Sequence, residues 1–382
     1  MKTLGIGMAG YGFIGKVHTL SFLNLPFFYK PLPVKLKLVG VCSSPISDAQ
    51  EGTSQAGFEF ATDNYKDLLK RDDIDIISVC TPNYMHKEIV INSLKAGKHI
   101  NCEKPLAMNL AESKEILEAA NKHPGLVAQM CFEFRYTPVT LRAKQLIDEG
   151  FLGRVYSLRV IYLHAGNADP KRTAYWKIQK KYSGGGSLFD LGPHIIDLVR
   201  FLLGDFKKVF ARLDTFVRQR PVAGTPGQMQ DIDTEDMALM LFELENGAVG
   251  TMEATKIATG ANDEIRVEIH GDKGAIRFNT MQPNYLEVYD TKDAEEPIGG
   301  MRGFKAIETV QRYPKPALSF PGPKFSVGWI RYHMGNTYDF VNNIIEAKMP
   351  DANIYAGYKV QEVMEAAVIS DKEKRWVLLP LE

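Results

Sequence analysis

The chain has 382 residues, more than one ordinary hydrophobic core holds, and its length fits about two domains. Lys plus Arg and Asp plus Glu each number 46, so the formal net charge is zero, which argues against a partner bound by neutralising phosphates and hence against nucleic acid. With 45% apolar and 24% charged residues, and no apolar run of about 18 residues, the composition is that of a soluble globular protein without a transmembrane helix. The apolar opening Met1–Gly15 carries Lys2 as its single cation and runs into glycines, so it reads as a strand and a turn rather than a secretion signal. Cys42, Cys80, Cys102 and Cys131 form no Cys-x-x-Cys pair, and three of them lie in or beside apolar runs, which points to reduced thiols and a cytoplasmic protein.

In chain order, Leu4–Ala9 predicts a buried strand, and Gly10-Tyr11-Gly12-Phe13-Ile14-Gly15 a turn opening a helix. Lys37–Cys42, Ile74–Cys80 and His99–Cys102 predict further strands. A helix that Asn83 caps and Gly97 ends lies between the last two, and Asn109 with Glu112 has capping-box spacing for another. Strand-helix alternation of this kind predicts a parallel sheet with helices on both faces. After about residue 150 the style changes. Glu264–His270 alternates polar and apolar, Asn246-Gly247 marks a hairpin between Met237–Glu245 and Ala248–Thr255, and Gly271–Gly274 marks another. Residues 219–231 and 291–327 read as long Pro- and Gly-rich loops, followed by helices at Thr337–Ala347 and Tyr358–Ser370. The expected organisation is a doubly wound domain over 1–130 and an α+β domain over 131–382, the latter with a large, mainly antiparallel, open-faced sheet. Apolar side chains on both faces of Met237–Phe242 predict a homo-oligomer, dimer or tetramer, paired through that sheet.

Gly10-x-Gly12-x-x-Gly15 has the spacing of a dinucleotide-binding turn. Gly10 permits the tight turn, Gly12 admits a pyrophosphate close to the backbone, and Gly15 lets helix and strand pack. The helix start then offers N–H groups to the anion. A carboxylate for the ribose 2′-OH of NAD is expected where the second strand ends. Val41-Cys42-Ser43-Ser44-Pro45 has none. The hydroxyls of Ser43 and Ser44 suit a ribose or a 2′-phosphate, and no Arg stands beside them, so both NAD(H) and NADP(H) remain open here.

Two later motifs carry ionisable groups. Glu103-Lys104-Pro105 follows a strand at the carboxyl edge of the predicted sheet, where such folds bind ligands; alone it reads equally as a surface ion pair before a helix. In the run Ser183–Asp197, if it is helical, Asp190, His194 and Asp197 share one face beneath Gly184-Gly185-Gly186, with Pro193 at odds with a continuous helix.

Together the glycine loop, Thr81-Pro82-Asn83 with His86, Glu103-Lys104-Pro105 and the Gly-Gly-Gly-x-x-x-Asp-x-Gly-x-His-x-x-Asp run resemble the Gfo/Idh/MocA family of sugar and polyol oxidoreductases. Phe134-Arg135-Tyr136-x-Pro138 and Leu146-Ile147-x-x-Gly150-x-Leu152-Gly153 look like the family's entry into its second domain; Glu133 departs from the Asn that many members carry there. The resemblance implies a Rossmann first domain and Lys104, Asp190 and His194 as the catalytic group. It further implies cofactor contacts from Gly10, Gly12, Phe13, Ile14, Gly15, Ser43, Ser44, Thr81, Pro82, Asn83, His86, Glu103 and Lys104. Substrate contacts would come from Lys104, Arg135, Trp176, Asp190 and His194, and His333 and Asn336 are further candidates to line the pocket. Oxidising a secondary alcohol needs a base for the hydroxyl proton while hydride leaves for the nicotinamide. His194 suits that proton, Lys104 the substrate oxygen, and Asp190 the orientation of the pair. In some relatives the lysine is viewed as the acid/base. Within the family, NAD-dependent glycosidases and non-catalytic dinucleotide sensors are the alternatives. Neither a His-x-x-x-His metal pair nor a Gly-x-Ser-x-Gly elbow is present.

Overall fold

The computed structural model describes residues 1–310 and 325–381. The chain forms two compact units: Met1–Tyr136 with Trp329–Gln361 make the first, and most of the remainder makes the second.

The first unit is built on six parallel strands: β1 (Lys2–Ala9), β2 (Val34–Cys42), β3 (Phe60–Thr62), β4 (Ile76–Val79), β5 (His99–Cys102) and β6 (Ala128–Met130). Their order, β3-β2-β1-β4-β5-β6, reverses direction at β1, which places a topological switch point between β1 and β4. Leu4, Ile6, Met8, Ile76 and Ile100 are buried on both sheet faces, as the continuous apolar runs require. All four cysteines stand at or one residue past the carboxyl ends of β2, β4, β5 and β6, and all are free and buried.

Helices α1 (Phe13–Phe28), α2 (Ile46–Ala56), α3 (Tyr65–Leu69), α4 (His86–Lys95) and α5 (Leu110–Asn121) connect the strands. Asn83 opens a single 3-10 turn, Asn83–Met85, and α4 proper begins at His86 and stops before Gly97, whose φ is 73°. The α5 capping box forms in a shifted version. Asn109 Oδ1 accepts from the Glu112 N–H at 2.9 Å, while Glu112 Oε2 accepts from Met108 N–H at 3.2 Å. A late helix, Ile330–Glu346, completes this unit by burying Phe340 and Val341 in the same apolar core as Leu4, Ile6 and Phe22. Burial of two such side chains is worth about 3–6 kcal/mol.

The second unit carries α6 (Pro138–Asp148), the short α7 (Lys180–Ser183) and α8 (Ser187–Asp190), and α9 (Gly192–Leu203). Its strands are β7 (Val155–Leu163), β8 (Phe206–Asp214), β9 (Gln219–Pro221), β10 (Met229–Asp231), β11 (Met237–Leu244), β12 (Val249–Thr255), β13 (Glu264–Gly271), β14 (Gly274–Asn279), β15 (Tyr285–Asp290), β16 (Lys305–Glu308) and β17 (Val377–Leu378). Nine of them form one sheet, β16-β15-β14-β13-β7-β12-β11-β8-β17, antiparallel except for the β7–β12 pair. Asn246-Gly247 turns β11 into β12, with Gly247 at φ 85°. Helix α9 lies against β7 and β12, and α6 against β15. Ala238, Met240 and Phe242 are buried on one face of β11, whereas Leu239 and Leu241 on the other face are 39% and 46% exposed.

Two expectations need correction. Residues 219–231 are not a plain loop: β9 and β10 pair antiparallel, Met229 opposite Pro221. The expected loop at 291–327 contains β16, which extends the sheet beyond β15, while its part at 311–324 lies outside the described residues.

Candidate active site

The first unit supplies a cradle at the switch point. Gly10 has φ 96°, and a Cβ there would collide with the Cys80 carbonyl; a Cβ at Gly15 would collide with the carbonyl of Gly10. Protein packing therefore demands glycine at both positions. Gly12 differs, because a Cβ there meets no atom within 4 Å. No side chain caps α1 and no acidic residue stands in its first turn, so the N–H groups beyond Gly12 face no competing anion from this helix. Thr81, next to Gly10 across the β1–β4 gap, has a buried hydroxyl without a hydrogen-bond partner. An anion-binding turn, an uncrowded glycine and an unpaired hydroxyl together fit a dinucleotide pyrophosphate.

Phe13 is 73% exposed and stacks on Trp329 with ring centroids 5.7 Å apart, while Ile14 packs onto the core. Ser43 is nearly buried and donates its N–H to Thr62 O at 3.1 Å; Ser44 is exposed. Burial, with Asp63 and Asp67 nearby, pushes the Cys42 thiol up to about 11, so negative charge faces the end of β2. Pro82 is half-buried and Asn83 buried.

His86 is wholly buried, its Nδ1 2.8 Å from Pro105 O and its Nε2 2.9 Å from Thr81 O. Burial lowers its pKa, and a neutral ring has a single N–H, so it donates to one of these two carbonyls while packing between the Thr81 turn and the segment after Lys104. Lys104 is half-buried just past β5. Glu103 is buried, and burial, which alone would raise its pKa, is overcome by hydrogen bonding and charge from His18, which holds it far below the usual carboxylate range. Its Oε1 lies 2.9 Å from His18 Nε2. Arg135 is buried in the Glu133–Tyr136 turn with its guanidinium 5.6 Å over the Phe132 ring, and His333 and Asn336 are buried on the late helix.

The second unit holds the remaining residues. The segment 187–197 is not one helix: α8 ends at Asp190 and α9 restarts at Gly192, with Pro193 in its first turn. That restart resolves the misfit of Pro193, whose missing N–H costs nothing there. The triple glycine serves close packing, since a Cβ on Gly186 would strike the Glu235 carbonyl and one on Gly185 the Phe189 ring. Glu235 Oε1 accepts from the N–H groups of Gly186 and Leu188 at 2.8 and 2.9 Å, which fixes where Asp190 points.

Asp190 sits between two ammonium groups. Lys177 Nζ is 2.8 Å from Oδ1, and Lys256 Nζ is paired with Oδ2. Lys256 is buried and also reaches Tyr175 OH at 3.4 Å. Burial opposes its charge, yet Asp190 and Tyr175 raise its pKa above the ordinary value. Asp190 thus has a lysine ammonium on each carboxyl oxygen. His194 is buried, its ring centroid 5.8 Å from that of Tyr162, whose hydroxyl donates to Asp263 at 2.6 Å. Trp176 is half-buried with Lys177 over its ring at 5.5 Å, and Asp197 is buried on α9. Lys256 and Lys177 escape sequence reading: Lys256 belongs to no motif, and Lys177 beside Trp176 looks like any surface lysine.

A glycine cradle at the switch point of a doubly wound sheet is that of a dinucleotide-dependent oxidoreductase. The chain belongs to the Gfo/Idh/MocA family: the oxidoreductase-family model for its NAD-binding Rossmann fold matches residues 4–130 and the C-terminal-domain model residues 140–277. It is 34% identical to levoglucosan dehydrogenase of Pseudarthrobacter phenanthrenivorans over 100% of this chain and 99% of that one. It resembles the solved structure of a levoglucosan dehydrogenase in complex with NADH and levoglucosan with TM-score 0.94, 34% identity and full coverage of both chains. It is 29% identical to scyllo-inositol 2-dehydrogenase (NAD(+)) of Bacillus subtilis, covering 69% of this chain and 72% of that protein.

Proposed function

We propose that this protein is an NAD-dependent dehydrogenase that oxidises a secondary alcohol of a sugar, polyol or glycoside, with Lys104, Asp190 and His194 as its catalytic group. The observation that carries the reading is Asp190, at the end of α8, held between Lys177 and Lys256 and followed after the break at Leu191 by the buried His194 in the first turn of α9. When bound, the nicotinamide supplies the hydride acceptor. His194 takes the hydroxyl proton as general base. Lys104 donates to the substrate oxygen as negative charge grows on it. Asp190, held between the two lysines, accepts from a neighbouring hydroxyl and fixes the ring.

Similarity to levoglucosan and inositol dehydrogenases supports a cyclic polyhydroxylated substrate. The negative surroundings of Cys42 and the absence of a cation beside Ser43 and Ser44 support NAD over NADP. The exposed apolar row of Leu239, Leu241 and Val249 supports a homo-oligomer paired through the sheet, and four free buried cysteines support a cytoplasmic protein.

The test is a panel of anhydrosugars, inositols, aldoses and glycosides, scored by absorbance of reduced nicotinamide with NAD and NADP in parallel. Turnover of at least one cyclic polyol with NAD is the expected result. Dinucleotide binding without turnover on any of them would make the protein a sensor, and cleavage of an aryl glycoside without net reduction would make it a glycosidase.

A further inference from the structure

Beneath Lys104 lies a buried polar cluster that the proposed reaction does not use. His18 is 1% exposed and sits on α1, the helix that opens at the glycine cradle. Its Nδ1 lies 2.8 Å from Ser78 Oγ on β4, and its Nε2 lies 2.9 Å from Glu103 Oε1 at the end of β5. The other oxygen of Glu103 accepts from the Lys104 backbone N–H at 3.2 Å. Cys131 Sγ, just past β6, is 3.4 Å from His18 Nε2 and 3.8 Å from His333 Nδ1. Helix α1, strands β4 and β5, and the residue carrying the ammonium are thus tied through one imidazole and one carboxylate.

The cluster is chemically asymmetric. Burial disfavours charge on both histidines, yet Cys80 and Glu103 raise His18 to about 10, whereas His333 is pushed down to about 3. Of the two imidazoles, His18 is the one placed to hold a proton, 2.9 Å from the Glu103 carboxylate. A buried ion pair is weak evidence for net stability, because desolvation offsets the attraction; what it secures is geometry. Here the geometry secured is the start of the Lys104 segment.

We propose that His18 is a positioning residue for the reaction: by holding Glu103, it fixes the backbone of Lys104 relative to the glycine cradle on its own helix. This rests on the reading of Lys104 as catalytic. His18 touches no substrate, and its effect reaches the reaction only through Glu103. Loss of the tether lets the Lys104 backbone shift, and a misplacement of about 1 Å at a catalytic group costs roughly 100-fold in rate.

The experiment compares His18→Phe, His18→Gln, Glu103→Gln and Lys104→Met in the full-length protein. Turnover is measured per folded molecule with the best polyol substrate, and NADH affinity by fluorescence titration. We expect His18→Phe and Glu103→Gln each to lower kcat by about 10- to 100-fold, and His18→Phe to leave substrate KM and NADH affinity within about threefold. His18→Gln, which keeps an N–H donor near Glu103, should recover part of the loss. The double variant His18→Phe/Glu103→Gln should be little worse than either single one, since both act through one bond. Normal kcat in His18→Phe, with only a lower melting temperature, overturns the proposal and leaves His18 a packing residue. Normal turnover in Lys104→Met instead sinks the assignment of Lys104 itself, whatever His18 does. The side chains of His18, Glu103, Cys131 and His333 also bring four metal-ligand atoms within 4.8 Å of one another, so elemental analysis of the purified protein is the last arm. Near-stoichiometric zinc lost on mutating His18 overturns the proposal in favour of a metal centre; metal-free active protein upholds it.

Discussion

Lys256→Met is the substitution whose outcome the second unit constrains most tightly. The ammonium is buried and paired with Asp190, so methionine keeps the volume of the stem and removes only the charge. Breaking a buried ion pair on one side costs about 3–5 kcal/mol, because the remaining charge is left without compensation. Lys177 still holds the other Asp190 oxygen at 2.8 Å, but it is 36% exposed and screened by water, so it offsets only part of that cost. We expect a destabilisation of about 2–3 kcal/mol by urea unfolding. The sign of the pH dependence follows from the raised pKa of Lys256. The stabilisation is fully present below 10.5, the ordinary lysine value, and is lost only as pH rises past the folded value. The difference between parent and variant should therefore be flat from pH 6 to about 9. Turnover should fall by at least tenfold, as Asp190 loses its fixed orientation. A variant of parental stability and parental kcat would refute the claim that Lys256 sets the state of Asp190.

Three further outcomes follow from the same structure. His194→Ala should leave NADH affinity nearly unchanged and lower the chemical step about 100- to 10,000-fold, whereas a mere packing role would lower melting temperature and spare turnover. Gly12→Val should weaken dinucleotide binding at least tenfold without unfolding the protein, because the added side chain meets no protein atom at its Cβ; calorimetric titration checks this. Sedimentation at micromolar concentration should give a species at least twice the 42.8 kDa of the chain, and Leu241→Lys should shift it toward the monomer.

The first unit was legible because its parallel strands are buried on both faces and so read as apolar runs, each punctuated by glycine or a cap. Gly10, Gly15, Asn109 and Gly97 stand where local backbone chemistry alone requires them. The late helix Ile330–Glu346 could be predicted as a helix, but not as part of the first core, since Phe340 and Val341 meet Leu4 and Ile6 only through long-range packing. The β9–β10 ribbon escaped for another reason. Its strands are three residues each, with Pro221 in one and Asp231 in the other, so no period is long enough to read. The proposed catalytic residues Lys104, Asp190 and His194 were reached through motifs that resemble the family's. Their partners were not: Lys256 is remote in sequence from Asp190, and His18 from Glu103, while Lys177, 13 residues before Asp190, looks like any surface lysine.

The acid-base behaviour of the first unit offers a separate test, independent of substrate. His333 is pushed down to about 3 from an ordinary 6.5, and burial lowers His86 as well. A histidine kept neutral in the folded state binds its proton more readily when unfolded, so stability falls as pH drops below about 6.5. His18 works in the opposite direction. Raised to about 10, it contributes stability that is complete below 6.5 and is lost as pH climbs toward 10. The lowered Glu103 belongs to the same pair and adds to the loss at low pH as its carboxylate is protonated. The two limbs meet near neutrality, so the melting temperature of the first unit should peak at about pH 6–7. With 1.36 kcal/mol per pKa unit, each limb is on the order of a few kcal/mol. His333→Gln should flatten the acid limb and leave the alkaline one, and His18→Gln should do the reverse. Scanning calorimetry from pH 4 to 10 reads both limbs, and an alkaline limb that survives His18→Gln unchanged would show that His18 carries no buried proton.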